Sequence, residues 1–220
     1  KTLIKIFDKP LIDLLFRNCS NVGIRDIIIV TGYRDDLIKN HLKDVASDVR
    51  IEFIHNTDWE LPNGLSVLAA KKSILKDEDF LVSMSDHFYL PELLNKVKDS
   101  SLEETIVNVG IDYNIERIHD LDDAMKVKVH KDNNLIRSMS KQLIDYDAVD
   151  CGVFKCRYEF FSVLDSAREK ACYSLSDGCD LLISDKTLGG VNIGDHFWID
   201  IDTPESIEYC HRNRSIFSLM

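Results

Sequence analysis

Residues 26–31 read Asp26-Ile27-Ile28-Ile29-Val30-Thr31, a continuous β-branched run that Gly32 closes. A strand with apolar residues at both odd and even positions keeps no face for water, so this run predicts a strand buried on both faces in a parallel sheet. Its neighbours extend the pattern. From Pro10 to Asn21, Leu11, Leu14, Leu15 and Phe16 recur at helical spacing, and Gly23 stops the helix. Beyond Gly32, Leu37, Ile38, His41 and Leu42 predict a helix, Ile51-Glu52-Phe53-Ile54 a strand, and Gly64 to Leu75 another helix. Phe80-Leu81-Val82-Ser83-Met84 reads as the next buried strand, after which Pro91 opens a helix from Glu92 to Val97.

The texture changes after Thr105. Thr105 to Val109, Ala124 to Val129, Leu135 to Met139 and Val149 to Phe154 read as strands joined by turns such as Asp132-Asn133-Asn134. Tyr158 to Lys170 and Asp177 to Ile183 predict helices, Leu188 to Ile193 a strand, and Thr203 onward a closing helix. The expected architecture is a three-layer α/β/α, Rossmann-like fold with a mixed, mostly parallel central sheet, parallel in its first half. Chain length, with 45% hydrophobic and 30% charged residues in 220, fits one domain.

Composition excludes several classes of function. The longest apolar stretches, such as Ile27 to Val30, fall far short of the roughly 20 residues that span a bilayer. No secretory leader pattern opens the sequence. The six cysteines (Cys19, Cys151, Cys156, Cys172, Cys179 and Cys210) form no C-x-x-C pair, which suits a reducing compartment. A cytoplasmic domain without membrane contact is the expectation. A net charge of −11 argues against nucleic acid, whose phosphates demand a basic surface. An acidic protein can still handle phosphates when its carboxylates hold a divalent cation.

Two acidic segments stand out. Ser85-Asp86-His87 follows the strand that ends at Met84, the place where an open α/β sheet puts its ligands. Helix capping does not explain Asp86, because Pro91 at the first helical position puts the cap near Leu90. The second segment is Phe197-Trp198-Ile199-Asp200-Ile201-Asp202-Thr203-Pro204-Glu205. Thr203 can cap a helix begun by Pro204, which leaves Asp200 and Asp202 without a capping task. The two aspartates alternate with Ile201 in strand fashion and so point the same way. Paired carboxylates ask for a cation, and oxygen ligands from separate segments suit Mg²⁺; a solvated acidic turn is the alternative.

Together these segments resemble the nucleotidyltransferase family that acts on sugar phosphates and related substrates. Met84-Ser85-Asp86-His87 is similar to the family's first metal aspartate, and Trp198-Ile199-Asp200 with Asp202-Thr203-Pro204 to its second. Lys1-Thr2-Leu3 and Asp8-Lys9-Pro10-Leu11-Ile12 resemble its K-x-L and G-K-P-L-I segments, and Asn63-Gly64-Leu65-Ser66 its nucleotide-base segment. Lys126-Val127-Lys128-Val129, Lys141 and Ala148-Val149-Asp150-Cys151-Gly152-Val153-Phe154 resemble the inositol-phosphate cytidylyltransferase branch.

The resemblance implies transfer of CMP from CTP to inositol 1-phosphate, with release of pyrophosphate. It implies Asp86, Asp200 and Asp202 around Mg²⁺, with Lys1 beside the phosphates. Asn63, Gly64, Ser66 and Asp86 would serve the nucleotide, and Lys126, Lys141, Asp150 and Gly152 the phosphorylated acceptor. His87 and His196 are read as supports behind the metal's ligands or as packing residues. Other readings are CMP transfer to phosphocholine or a phosphonate, UTP- or dTTP-dependent transfer to a sugar 1-phosphate, and a non-catalytic regulatory module. A homo-oligomer or a fusion to a membrane synthase would accord with the family. The family's Gly-rich loop, roughly L-A-A-G-x-G-x-R, has no counterpart in these residues. The corresponding strand and loop are expected to precede Lys1 in the natural protein, leaving an open slot beside Asp26 to Thr31 or a different segment within it.

Overall fold

The computed structural model describes residues 1–43 and 49–214. Two short strands, β1 (Lys5–Ile6) and β2 (Lys9–Pro10), lead into α1 (Leu11–Asn21). Gly23 ends that helix with φ +82°, a conformation that costs glycine little. β3 (Asp26–Thr31), α2 (Asp35–Lys43) and β4 (Arg50–His55) form the expected βαβ unit, with β3 and β4 parallel from Asp26 opposite Arg50 to Thr31 opposite His55. α3 (Gly64–Ala69) is shorter than the sequence predicts, because the chain tightens into a 3₁₀ turn over Ala70–Ser73. Lys71 there bonds Asp165 and Ser73 bonds Glu52, so tertiary anchors hold the tighter turn.

β5 (Phe80–Ser83), β6 (His87–Tyr89), α4 (Pro91–Lys98), β7 (Val107–Asp112), β8 (Lys126–Val129), β9 (Ile136–Ser140) and β10 (Ala148–Cys156) follow. α5 (Phe160–Glu169), α6 (Leu175–Ser184), β11 (Leu188–Asn192), β12 (Trp198–Asp200) and α7 (Pro204–Arg212) complete the order. β7 runs further than its pattern suggests because Gly110 extends it instead of ending it. A Cβ at Gly110 would lie 2.6 Å from Cys151 Sγ, so glycine is what lets β7 and β10 approach.

The six-stranded sheet runs β11-β7-β10-β8-β9, with β5 also on β10. It is mixed, as expected. Parallel pairing holds for β3 with β4 and β7 with β11, whereas every partner of β10 is antiparallel. The antiparallel share is therefore larger than the βα alternation of the first hundred residues suggests. β10 shares one edge between β8, at Ala148 and Val149, and β5, from Val153 to Cys156. Between those contacts its register shifts, and Gly152 takes φ +77°. A bulge of this kind bends a strand and parts its neighbours.

Helices cover both faces. α1, α4 and α7 pack with Phe88, Tyr89, Cys151 and Val153, while α5 and α6 pack with Val107, Val109, Phe154 and Cys156. Ile12, Phe16 and Leu42 join Ile27 and Ile29 in a third, smaller cluster. The run Ile27 to Val30 and the residues Phe80 to Val82 are only half-buried, not buried on both faces. Among the described residues β3 is bonded to β4 alone and β5 to β10 alone, so each keeps an edge of unpaired ladder groups. No described helix is long and apolar enough to cross a membrane.

Candidate active site

The site is assembled by a strand pair that periodicity alone does not reveal. β6 and β12 are each only three residues long and run antiparallel, with Trp198 opposite Tyr89, Ile199 opposite Phe88 and Asp200 opposite His87. Just beyond the pair, Ile201 N–H donates to the Asp86 carbonyl at 2.8 Å, which draws the two acidic segments together. Met84 N–H donates to the Gly152 carbonyl at 2.9 Å and ties the start of the Asp86 turn to the β10 bulge. Thr203 caps α7, accepting from Ser206 N–H at 3.1 Å, so the Asp200 and Asp202 carboxylates remain free of that task.

Around this crossing the charges alternate. Lys1 Nζ lies 3.7 Å from Asp86 Oδ2 and 4.0 Å from Asp202 Oδ2. His87 Nδ1 lies 3.1 Å from Asp86 Oδ1 and 3.8 Å from Asp200 Oδ1. The hydrogen bond from His87 holds the Asp86 carboxyl below the usual range against the opposing effect of burial. Burial lifts that of Asp200, with the neighbouring Asp86 and Asp202 adding to the rise. Burial opposes a charged His87, yet Asp86, Asp200 and Asp150 outweigh it and raise the imidazole.

The donor set fits a divalent cation. Asp200 Oδ1 is buried with no hydrogen-bond partner among the described residues, a costly state that a cation would relieve. Asp86, His87 and Asp200 each offer one ligand atom, all within 4.8 Å of one another. Asp202, read from sequence as part of the metal set, lies outside that group and faces Lys1. His87, read from sequence as a support behind the ligands or a packing residue, lies inside it.

A cleft of about 220 Å³ opens beside this centre, lined by Asn63, Lys141, Asp150, Gly152, Trp198 and Asp200 among others. It lies where β5 and β8 part along β10. Asp150 sits at the bulge, and desolvation pushes its carboxyl up to about 6 although Gly152 N–H donates to it at 2.7 Å. Lys141 reaches the cleft paired with Asp123 at 2.7 Å.

The structure gives several of the sequence-predicted residues other partners. Lys126, expected at the acceptor phosphate, is buried, and its ammonium is spent on the carbonyls of Asp122, Ala124 and Lys141. It holds the backbone from which Lys141 projects. Gly64 does not line the cleft; a Cβ there would lie 2.6 Å from the Tyr173 carbonyl, so glycine serves close packing of α3 against the start of α6. Ser66 Oγ accepts from Asn56 Nδ2 at 3.1 Å and is likewise absent from the cleft wall. Asn63 does line the cleft, but its Oδ1 accepts from Leu175 N–H. Gly152 contributes no free N–H to an acceptor, having given it to Asp150.

Sequence reasoning also missed a buried support. Asp112, fully buried at the end of β7, accepts from Trp198 Nε1 at 2.9 Å and from Arg117 Nε at 2.9 Å. Arg117 in turn donates to the carbonyls of Gly194 and His196. The available signal was a carboxylate closing an apolar strand, at the sheet end where ligands bind.

Residues 1–116 match the family model described as nucleotidyl transferase. The chain is 28% identical over 211 residues to the bifunctional IPC transferase and DIPP synthase of Aquifex aeolicus, a match covering 94% of this chain and 45% of that protein. It is also 28% identical over 221 residues to the protein of the same name in Thermococcus kodakarensis, covering 96% of this chain and 46% of that one. The chain thus spans about half the length of these relatives. Among solved structures, the inositol-1-phosphate CTP transferase from T. maritima superposes with a TM-score of 0.81 at 21% identity, over 96% of this chain and 86% of that chain. A UDP-glucose pyrophosphorylase from Acinetobacter baumanii superposes with a TM-score of 0.77 at 15% identity, over the whole of this chain and 91% of the other. At these identities the superpositions show a shared α/β fold.

Proposed function

Since the chain belongs to the nucleotidyl transferase family, we propose that it transfers CMP from CTP to inositol 1-phosphate and releases pyrophosphate, with Mg²⁺ held by Asp86 and Asp200. The observation that carries this reading is the meeting of Lys1, Asp86, Asp200 and Asp202 beside a cleft that Asp200 and Asp202 line. Relatives named IPC transferase and the superposed inositol-1-phosphate CTP transferase support the choice of substrates. Of the two activities in the relatives' names, the transferase is assigned to this chain, because the matching family model describes that chemistry.

An oxygen of the acceptor phosphate attacks the α-phosphorus of CTP; a new P–O bond forms, the bond to the β-phosphate oxygen breaks, and pyrophosphate leaves. The attacking oxygen is already ionised at neutral pH, so no residue must remove a proton from it. When bound, Mg²⁺ supplies charge neutralisation to the triphosphate. The Lys1 ammonium neutralises charge that grows on the reacting phosphoryl group. Lys141 offers a point charge to the acceptor phosphate. Asp150 and Asp123, acceptors of hydrogen bonds when ionised, suit the hydroxyl donors of a polyol.

The test is a matrix of CTP, UTP, dTTP, GTP and ATP against inositol 1-phosphate, phosphocholine, a phosphonate and glucose 1-phosphate, read by pyrophosphate release and ³¹P NMR of the product. CTP with inositol 1-phosphate is expected to give the fastest turnover. Preference for another pair replaces the substrates, and no turnover with any pair removes the catalytic reading in favour of a regulatory module.

A further inference from the structure

The His87 ring is held on two sides. The Trp198 indole stacks on it at 5.7 Å between centroids with 10° between planes, and Trp198 is itself fixed by its N–H to the buried Asp112. Against the ring also lies Gly152, whose φ of +77° already disfavours a side chain. A Cβ there would lie 2.5 Å from His87 Cδ2 and 2.9 Å from Nε2. The strand pairing of Asp200 with His87 sets the height of the ring beside the carboxylates. All of this aims Nδ1 at Asp86 Oδ1 and Asp200 Oδ1, at 3.1 and 3.8 Å. Ligands about 2.1 Å from one cation and at right angles lie about 3 Å apart, so the nearer separation matches two adjacent ligands.

We propose that His87 is a nitrogen ligand of the cation centre, and that Asp112 positions it through the Trp198 indole. This rests on the reading of Asp86 and Asp200 as a cation site. An imidazole among carboxylates suits Co²⁺ and the later divalent cations better than an all-oxygen set does, whereas Mg²⁺ and Mn²⁺ gain little from nitrogen. The centre therefore accepts borderline transition cations as well as Mg²⁺ and holds them more tightly. Nδ1 also stands within hydrogen-bond distance of Asp86, so ligation requires the neutral imidazole with its proton on Nε2.

The test loads the protein with Mn²⁺ and uses pulsed electron paramagnetic resonance to look for ¹⁴N coupling from a bound imidazole. The coupling is expected in the natural protein and absent from His87→Phe, which keeps a ring for Trp198 to stack on. His87→Phe should lose about tenfold or more in Co²⁺ affinity while Mg²⁺ affinity changes less. Trp198→Phe, which keeps a ring but loses the N–H to Asp112, should weaken Co²⁺ by about tenfold with unchanged circular dichroism. Mn²⁺ that binds in a manner lost with Asp200→Asn, yet shows no nitrogen coupling, overturns the role of His87 and leaves the cation site standing. Failure of the natural protein to bind Mn²⁺ at all overturns both.

Discussion

Asp200 stands opposite His87 across the β12–β6 ladder, and this one pairing sets its carboxylate beside that of Asp86 from a distant part of the chain. Asp200→Asn keeps the shape and removes the charge. We expect turnover to fall by about two orders of magnitude or more. Because burial already disfavours the ionised Asp200, the melting temperature should hold or rise. A variant that unfolds, or one that keeps normal turnover with Mg²⁺, would make Asp200 structural.

The two lysines read from sequence as acceptor ligands should separate cleanly. Lys126→Met strips three carbonyls of their donor and is expected to destabilise by about 1–3 kcal/mol in urea unfolding. Lys141→Met should leave stability within about 0.5 kcal/mol and raise the acceptor KM roughly tenfold, about 1.4 kcal/mol. The reverse pattern would return Lys126 to the acceptor phosphate.

Gly152→Ala should cost about 1–3 kcal/mol, since alanine is strained at φ +77° and its methyl would strike the His87 ring. Combining it with His87→Ala should recover the steric part, because the ring that the methyl strikes is then gone. A fully additive double variant would show that the two residues do not press on each other.

Asp150 predicts a pH dependence of stability. Its folded-state carboxyl is pushed up to about 6, above the unfolded value of about 3.9. Between those values the folded chain keeps a proton that the unfolded chain releases, so this group lowers stability as pH rises through the window. Asp150→Asn can still accept the Gly152 N–H and carries no charge to bury. Thermal melts should coincide near pH 4 and show the variant more stable above about pH 6. Curves that stay parallel from pH 4 to 8 would mean that Asp150 titrates normally.

The sequence by itself determined what depends on near neighbours. Apolar periodicity drew β3 and α1 almost to the residue and located α2, and Thr203 before Pro204 set the start of α7. The same local reasoning singled out Asp86 and Asp200, because no cap or turn claimed their carboxylates. Only the tertiary structure decided which partners the remaining polar groups find. Lys126 is buried beneath three carbonyls, and Ser66 turns toward Asn56. His87 joins the carboxylates because β6 and β12, each too short to show a period of its own, meet across the fold. The half-burial of Ile27 to Val30 belongs to the same class, since it depends on which strand edges are paired. Periodicity and capping are interactions across a few residues and are written in order along the chain. Strand register and the fate of a buried ammonium depend on contacts between distant segments, and those acquire geometry only when the chain has folded.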